Sequence, residues 1–235
     1  MEVAILIPSR GFIFTDTIQS VLDNMSEVRV PCTLIFENMK PIPEAQNSIV
    51  AKALSTKADY FWFVEEDMIF PENTLSTMVQ AAIQTQCDGV IVDYPVGDHW
   101  STICHKDGKV LWFGFGCTLM KRSVFERIPF PWFETSKSVK ITDTKHMEYE
   151  IDKNTPFKYG GHDILFGLKC QDIKLKLAEI REIKAGQLRL IELGKIGYNN
   201  GVHTITRLEG VTKNQEYFSK PESKEVKHGF ASFSN

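Results

Sequence analysis

Three consecutive carboxylates follow a run of apolar and aromatic residues in the first half of the chain. The acidic residues are Glu65, Glu66 and Asp67, here called the acidic triplet, and the run before them spans residues 60–64. Such a run predicts a strand that is covered on both faces, as in a parallel sheet. Adjacent carboxylates at the edge of an apolar core repel one another and lose hydration, which costs stability unless a cation offsets their charge. The pattern therefore indicates a divalent metal site with an anionic ligand, although an acidic turn leading into the next helix is an alternative.

Polar residues also follow the first two predicted strands of the chain. Pro8, Ser9 and Arg10 come directly after the first strand, and Glu37 comes after the second. Because the carboxyl ends of parallel strands meet at one edge of a sheet, we expect these residues to lie near the acidic triplet. Glu37 would suit the hydroxyls and base edges of a nucleoside, and a polar turn is the alternative interpretation.

Helical periodicity fills the segments between these strands. Predicted helices begin near Thr15, after Pro43 and after Pro71, and each repeats apolar residues at helical spacing. Gln46 and Asn47 lie near the start of the second helix. The order βαβαβαβ in the first half of the chain predicts a parallel, doubly wound sheet with right-handed crossovers.

The second half of the chain has a different pattern. Residues 110–113 and 117–120 are predicted strands on either side of Gly116, a glycine that permits a ligand or another backbone to come close. Residues 134–158 are polar and weakly patterned, which predicts a long loop of the kind that serves as a lid or binding loop. Asp163 lies in the first turn of the next predicted helix, where it acts either as a general base or as a carboxylate that stabilises the helix N-terminus.

Taken in order, these segments resemble the GT-A class of nucleotide-sugar glycosyltransferases, in particular the family-2-like enzymes with a D-x-D motif. That pattern has a D-x-D motif after the nucleotide-binding half, then a glycine-rich strand-turn, an E-D-x-x-F helix start and a late metal-binding His. The matching stretches are residues 65–67, 114–125 and 161–166, and His203. This sequence has Glu65 at the first position of the D-x-D motif and His162 where the pattern has Glu before Asp163.

The resemblance implies an α/β fold of the GT-A, Rossmann-like type. We expect a mostly parallel sheet flanked by helices, with a smaller acceptor-side subregion. Residues 1–207 would form a single domain, in which 1–95 bind the nucleotide sugar and 96–207 supply the acceptor and metal half. Residues 208–235 would be a polar C-terminal tail.

The resemblance also implies roles for individual residues. Asp67 would bind Mn²⁺ or Mg²⁺ directly and His203 would complete the metal site, although a late His considered without the family is more often structural. Asp163 would be the general base of an in-line displacement that inverts the anomeric centre. The residues that would bind the nucleotide-sugar donor are Pro8, Ser9, Arg10, Glu37, Gln46, Asn47, Glu65 and Glu66, and those on the acceptor side are Gly116, Trp132 and His162.

Four aromatic residues lie in the segments next to the proposed acceptor side. They are Trp112, Phe115, Trp132 and Phe133. Aromatic faces stack on sugars and bases, but large aromatic residues are also the usual components of a core. The sequence leaves both interpretations open.

Composition excludes several other classes of protein. The net charge is −3, so no global basic field indicates a nucleic-acid-binding protein. The 5 cysteines are odd in number and contain no C-x-x-C pair, which favours reduced thiols over a disulfide framework or a zinc site. The N-terminus has no signal-peptide pattern, and no apolar stretch is long enough to span a membrane. We therefore expect a cytoplasmic protein, in the host cytoplasm if a phage encodes it.

The leading hypothesis is a metal-dependent transferase that moves a sugar from a nucleotide diphosphate sugar, with a UDP-sugar favoured, to a glycan or other hydroxyl acceptor. One alternative acceptor is modified DNA, because short transferases without an anchor are similar to phage-type enzymes that glycosylate hydroxymethylated bases. Lysines of the predicted loop could then contact phosphates, and they are Lys137, Lys140, Lys145, Lys153 and Lys158. Another alternative is a catalytically silent GT-A-like module that binds a nucleotide sugar or glycan.

Overall fold

The computed structural model describes residues 1–94, 102–135, 138–143, 148–152, 161–188, 191–198 and 201–207, with side chains described in 1–94, 102–135 and 161–188. In chain order the elements are β1 (Val3–Ser9), α1 (Thr15–Glu27), β2 (Cys32–Asn38), α2 (Glu44–Leu54), β3 (Tyr60–Val64), β4 (Met68–Ile69), α3 (Thr74–Thr85), β5 (Gly89–Val92), β6 (Ile103–Lys106), β7 (Lys109–Phe113), β8 (Cys117–Lys121), α4 (Arg122–Arg127), β9 (Ser138–Asp143), β10 (Glu148–Asp152), α5 (His162–Asp172), β11 (Leu177–Ile180), β12 (Gly186–Gln187), β13 (Ile191–Tyr198) and β14 (Gly201–Arg207).

A six-stranded sheet with the order β11-β5-β8-β3-β1-β2 forms the centre of the fold. Strand β1 runs parallel to both β2 and β3, and β11 runs parallel to β5. Strand β8 is inserted between β3 and β5 and runs antiparallel to both. The prediction of an α/β fold with a mostly parallel sheet is therefore confirmed, with one antiparallel strand that the sequence pattern did not reveal.

The apolar run of β3 is buried along its whole length because helices cover both faces of the sheet. Alternate residues of β3 join two core clusters: Trp62 packs with residues of α1 and α3, whereas Phe61 and Phe63 pack with residues of α2, α4 and α5. This two-sided burial explains why the run is continuously apolar instead of alternating. It also fixes the position of the acidic triplet, which begins where β3 ends.

Helix α5 carries Asp163 and is fixed against the strand β7. A Cβ atom added at Gly167 would lie 2.6 Å from the Cα atom of Trp112, so the helix comes closer to the strand than a larger residue would permit. Gln171 adds a hydrogen bond from its side-chain amide to the carbonyl of Leu111, 2.6 Å away. These contacts between the later turns of α5 and β7 fix the position of the first turn, which carries Asp163.

Residues 138–143 and 148–152 form strands within the span 134–158, for which the sequence predicts a long loop. Strands β9 and β10 pair antiparallel, with Val139 opposite Ile151 and Ile141 opposite Tyr149. These four apolar residues alternate with polar ones, which is the two-residue period of a strand. The high proportion of charged residues between them concealed that period.

None of the described helices has the length and apolar character that a membrane span requires.

Candidate functional site

A cleft of about 290 Å³ opens at the carboxyl ends of β1 and β3. The acidic triplet lines it, together with residues of the loops after β1 and β2 and the first turn of α5. The predicted site residues that line the cleft are Pro8, Ser9, Arg10, Gln46, Glu65, Glu66, Asp67 and His162. Residues from four separate segments of the sequence therefore meet in one place, as the topology of parallel strands requires.

Glu66 shapes the loop that follows β1. Its buried carboxylate accepts a hydrogen bond from the backbone N–H of Arg10 at 2.6 Å and also pairs with the Arg10 guanidinium. The hydroxyl of Ser9 accepts the backbone N–H of Gly11 at 3.0 Å and donates to the carbonyl of Phe12 at 2.8 Å. Ser9 and Glu66 thus act on the loop, and they place Arg10 beside the acidic triplet.

Asp67 has one side-chain oxygen with a hydrogen-bond partner and one buried oxygen without. Its backbone carbonyl accepts the N–H of Leu188 at 2.6 Å, and its Oδ2 accepts the side-chain amide of Gln187 at 3.3 Å. Its Oδ1 is buried and has no partner among the described atoms. Burial raises the pKa of Asp67 to about 6, with Glu66 adding to the shift and Arg10 opposing it.

Glu65 experiences the charges of the whole site. Burial raises its pKa to about 8, and the neighbouring carboxylates of Asp67, Asp163 and Glu66 contribute in that order. Asp163 does not line the cleft itself, yet its charge reaches Glu65 and the buried Tyr94. The Asp163 Oδ1 accepts the N–H of Ile164 at 2.8 Å at the start of α5. The site is therefore an excess of negative charge that a cation would stabilise.

A hard divalent cation fits the chemistry of this donor set. The unpartnered Oδ1 of Asp67 is the type of oxygen ligand that Mg²⁺ and Mn²⁺ take. Among the described side chains, no three His, Cys, Asp or Glu groups form a complete metal-binding cluster. His203 lies in β14, opposite Ile196, and its side chain is outside the described part of the structure. Its role as a metal ligand stays a prediction.

Three residues that line the cleft each carry a buried polar atom without a partner in the described part of the structure: Gln46 Oε1, Asp67 Oδ1 and His162 Nδ1. Buried polar atoms in folded proteins are nearly always hydrogen-bonded, so each such atom calls for an explanation. Burial lowers the pKa of His162, although Asp163 opposes the shift, so the neutral imidazole is favoured. A ligand that carries hydroxyl or N–H groups, or a cation, would satisfy these atoms.

Glu37 and Asn47 have other partners in the structure and do not line the cleft. The Glu37 carboxylate binds the hydroxyl of Ser48 at 2.5 Å and the ammonium groups of Lys52 and Lys40 at 2.9 and 3.3 Å. Burial alone would raise the pKa of Glu37, but these hydrogen bonds and charges lower it below its ordinary value. Asn47 uses both ends of its amide on the backbone of Phe133, at 2.8 and 3.1 Å. Asn47 therefore fixes α2 to the segment that contains Phe133.

The predicted acceptor-side residues Gly116 and Trp132 belong to the core. The backbone N–H of Gly116 donates to the Tyr94 hydroxyl at 2.7 Å. Trp132 is buried, and its Nε1–H is shared by the carbonyls of Phe125 and Ile128 at 2.8 and 3.1 Å. The remaining aromatic residues of that group, Trp112, Phe115 and Phe133, are buried as well. The core interpretation of the aromatic residues is the one that the structure favours.

Changing Gly116 to Ala is expected to destabilise the protein by about 1–3 kcal/mol, since it overpacks a filled core. The added Cβ would lie 2.6 Å from the Tyr94 ring atom Cζ and 3.0 Å from the Met68 sulfur. Urea unfolding followed by circular dichroism measures the loss. An unchanged unfolding free energy combined with altered acceptor kinetics would instead support the acceptor-side role.

Sequence reasoning missed several residues that line the cleft. They are Lys40, Pro41, Ile42, Ala45 and Gln187. The first four follow β2, so the rule that ligands bind beyond the carboxyl ends of the strands could have found them. Gln187 had no such signal, because it comes from β12, which pairs with β4 far away in the sequence.

The alternative DNA acceptor depends on lysines that the structure does not describe in full. Lys137, Lys145, Lys153 and Lys158 lie outside the described residues, and Lys140 is described only as backbone in β9. That hypothesis and the predicted tail 208–235 stay predictions.

Comparison with known proteins adds to this geometry. No protein-family model matches the sequence, and no curated protein does. Among solved structures, A197 from STIV superposes with a TM-score of 0.58 at 18% identity, over 91% of this chain and 98% of that chain. S. aureus TarS 1–349 in complex with UDP-GlcNAc gives 0.50 at 10% identity, and its complex with UDP gives 0.51 at 10%. The alignments cover 80% and 79% of this chain and 59% and 60% of the TarS chain. The chain therefore has a glycosyltransferase-like fold of the GT-A type.

Proposed function

We propose that this chain is a metal-dependent glycosyltransferase that moves the sugar of a UDP-sugar to a hydroxyl acceptor. The observation that carries the proposal is the buried, unpartnered Oδ1 of Asp67 in an acidic cleft at the carboxyl ends of parallel strands. The similarity in fold to TarS bound to UDP-GlcNAc supports a nucleotide sugar as the ligand of this cleft.

Asp67 is the proposed protein ligand of a divalent Mn²⁺ or Mg²⁺ ion, with His203 as a second candidate. Such an ion supplies positive charge that stabilises the departing diphosphate. Glu66 keeps the loop after β1 in place, and that loop presents Arg10 to the cleft. Glu65 holds a ribose hydroxyl or a water molecule of the metal site.

Gln46 and His162 are proposed to orient the donor through their unpartnered atoms. The Gln46 Oε1 accepts an N–H of the base or a ribose hydroxyl, and Pro41, Ile42 and Ala45 also line the cleft. The neutral His162 ring contributes Nδ1 to a hydroxyl group of the sugar. These contacts would pair atoms that are otherwise buried without a partner.

Asp163 is the proposed general base. The acceptor oxygen forms a bond to the anomeric carbon while the bond from that carbon to the diphosphate oxygen breaks. The acceptor proton passes to the Asp163 carboxylate, and the nucleoside diphosphate leaves with the bonding electrons. A single in-line displacement of this kind inverts the anomeric centre.

A thermal-shift experiment with nucleotides tests the donor site. We expect UDP to raise the melting temperature only when Mn²⁺ or Mg²⁺ is present, because an ion held by Asp67 would supply positive charge that favours the diphosphate. At a hundredfold excess over Kd, binding to the native state adds about 2.7 kcal/mol of stability. UMP and uridine serve as controls that lack the diphosphate, and ADP is a control for the base.

The thermal-shift experiment, together with an assay of UDP release, separates the proposal from the catalytically silent binding module. Absence of a shift with every nucleotide and metal would contradict the proposed function. A shift with UDP-sugars but no release of UDP on long incubation with hydroxyl acceptors would favour the catalytically silent binding module.

A further inference from the structure

Two cationic side chains, Arg10 and Lys40, line the described part of the cleft. They differ in whether the carboxylate that each one binds belongs to the cleft. Arg10 pairs with Glu66, which is itself a carboxylate of the cleft. Lys40 lies between β2 and α2, and its ammonium group binds the Ser48 hydroxyl at 2.8 Å and the Glu37 carboxylate at 3.3 Å. Both of these partners lie outside the cleft. Lys40 therefore lines the cleft, and its ammonium group neutralises none of the three carboxylates there.

Glu37, the carboxylate that binds Lys40, has other partners that would remain if Lys40 moved away. Glu37 is buried, and a buried carboxylate without a partner is costly. Glu37 also binds Lys52 at 2.9 Å and the Ser48 hydroxyl at 2.5 Å. If Lys40 moved away, Glu37 would still be paired with a cation and hydrogen-bonded, so release of Lys40 leaves no uncompensated charge.

The Lys40 side chain has the freedom to make such a move. It is 43% exposed, whereas the side chain of Glu37 is 6% exposed. Its flexible four-carbon stem carries a strongly hydrated ammonium group with three donors. Phosphate oxygens form short, charge-assisted hydrogen bonds with such groups.

We propose that Lys40 binds the diphosphate of the nucleotide donor, and that its ammonium group exchanges Glu37 and Ser48 for a phosphate oxygen when the donor enters. This inference rests on the proposed function and adds a phosphate-binding residue to it. A diphosphate that enters a cleft with three carboxylates needs cations beyond the metal ion, and Lys40 supplies one. Glu37, which the sequence pointed to as a nucleoside ligand, then acts as the residue that positions Lys40.

Isothermal titration calorimetry with UDP and uridine, both in the presence of Mn²⁺, tests the inference. Lys40→Gln is expected to weaken UDP binding by about 10- to 100-fold, the range for a charge-assisted hydrogen bond, while uridine binding is unchanged. Lys40→Arg is expected to retain most of the UDP affinity. Lys52→Gln is the matched control, because it removes the same charge from the same carboxylate at a residue outside the cleft.

The controls make the failure of each idea distinguishable. Equal UDP affinities for wild type and Lys40→Gln would overturn the inference while leaving the proposed function intact. The inference also fails if Lys52→Gln weakens UDP binding as much as Lys40→Gln does, since the effect would then arise from Glu37. A wild-type protein that binds neither UDP nor uridine would overturn the proposed function and the inference together.

Discussion

Changing Asp163 to Asn is expected to reduce turnover by about 10²- to 10⁴-fold, the usual contribution of a general base, while the affinity for UDP is retained. Asn keeps the shape of the side chain, and its carbonyl oxygen still accepts the N–H of Ile164 that Asp163 Oδ1 accepts at 2.8 Å. The loss of a negative charge in the first turn of α5 costs about 0.3–1 kcal/mol of stability at most sites of this kind. The fold should therefore survive, and only proton transfer is removed.

The measurement is the release of UDP from UDP-GlcNAc, first with water as the acceptor and then with a panel of hydroxyl compounds. Asp172→Asn provides the matched control, because Asp172 is exposed and lies at the opposite end of the same helix. We expect that control to turn over at the wild-type rate. Wild-type turnover in Asp163→Asn, with only a small loss of stability, would show that Asp163 stabilises the helix terminus and is not the base.

Local patterns in the sequence were sufficient to predict the first half of the fold. Strand β3 is a continuous apolar run, the helices around it repeat apolar residues at helical spacing, and the chain connects them in the order that a parallel sheet requires. The position of β8 was not predictable in this way. Its residues indicate a strand, but its antiparallel insertion between β3 and β5 is decided by long-range pairing.

The same distinction applies to the site. The rule about strand ends brought Arg10 together with the acidic triplet, because it depends only on topology. It did not hold for Glu37, which binds Ser48 and two lysines and does not line the cleft. Gln46 and Asn47 were expected from the family resemblance, and the rotation of α2 decides which of them reaches the cleft, since the Asn47 amide faces the Phe133 backbone. Residue type could not show that the space beside Gly116 is filled by the Tyr94 ring.

Carboxylates in the cleft and beside it differ in whether all of their oxygens have partners. Glu66 has Arg10 as its partner, and Glu37 has two lysines and a serine. Sequence alone treats all of these carboxylates as equivalent candidates. The structure distinguishes them, because among the described carboxylates only Asp67 has a fully buried side-chain oxygen without a hydrogen-bond partner.

Changing Asp67 to Asn is therefore expected to abolish the metal dependence of nucleotide binding. The ion would lose its direct carboxylate ligand, and an amide oxygen is a much weaker ligand for Mn²⁺ or Mg²⁺ than a carboxylate. We expect the affinity for UDP in the presence of Mn²⁺ to fall by at least about 100-fold. The reason is that the interaction of the buried, charged Asp67 carboxylate with the ion is lost. Calorimetric titration of UDP with Mn²⁺ or with EDTA measures the change.

The stability of the metal-free variant provides the second part of the test. Burial and the charge of Glu66 disfavour the ionised form of Asp67, so the neutral Asn removes an unfavourable charge from the folded state. We expect metal-free Asp67→Asn to melt at the same temperature as wild type or at a higher one, whereas Asp107→Asn, at an exposed turn, should change neither stability nor UDP binding. A metal-free variant that is strongly destabilised would mean that Asp67 holds the fold together through Gln187 and Leu188. A gain in stability that accompanies the loss of metal-dependent binding would instead show that the acidic triplet is maintained at the expense of the fold, as expected for a residue whose purpose is to bind a cation.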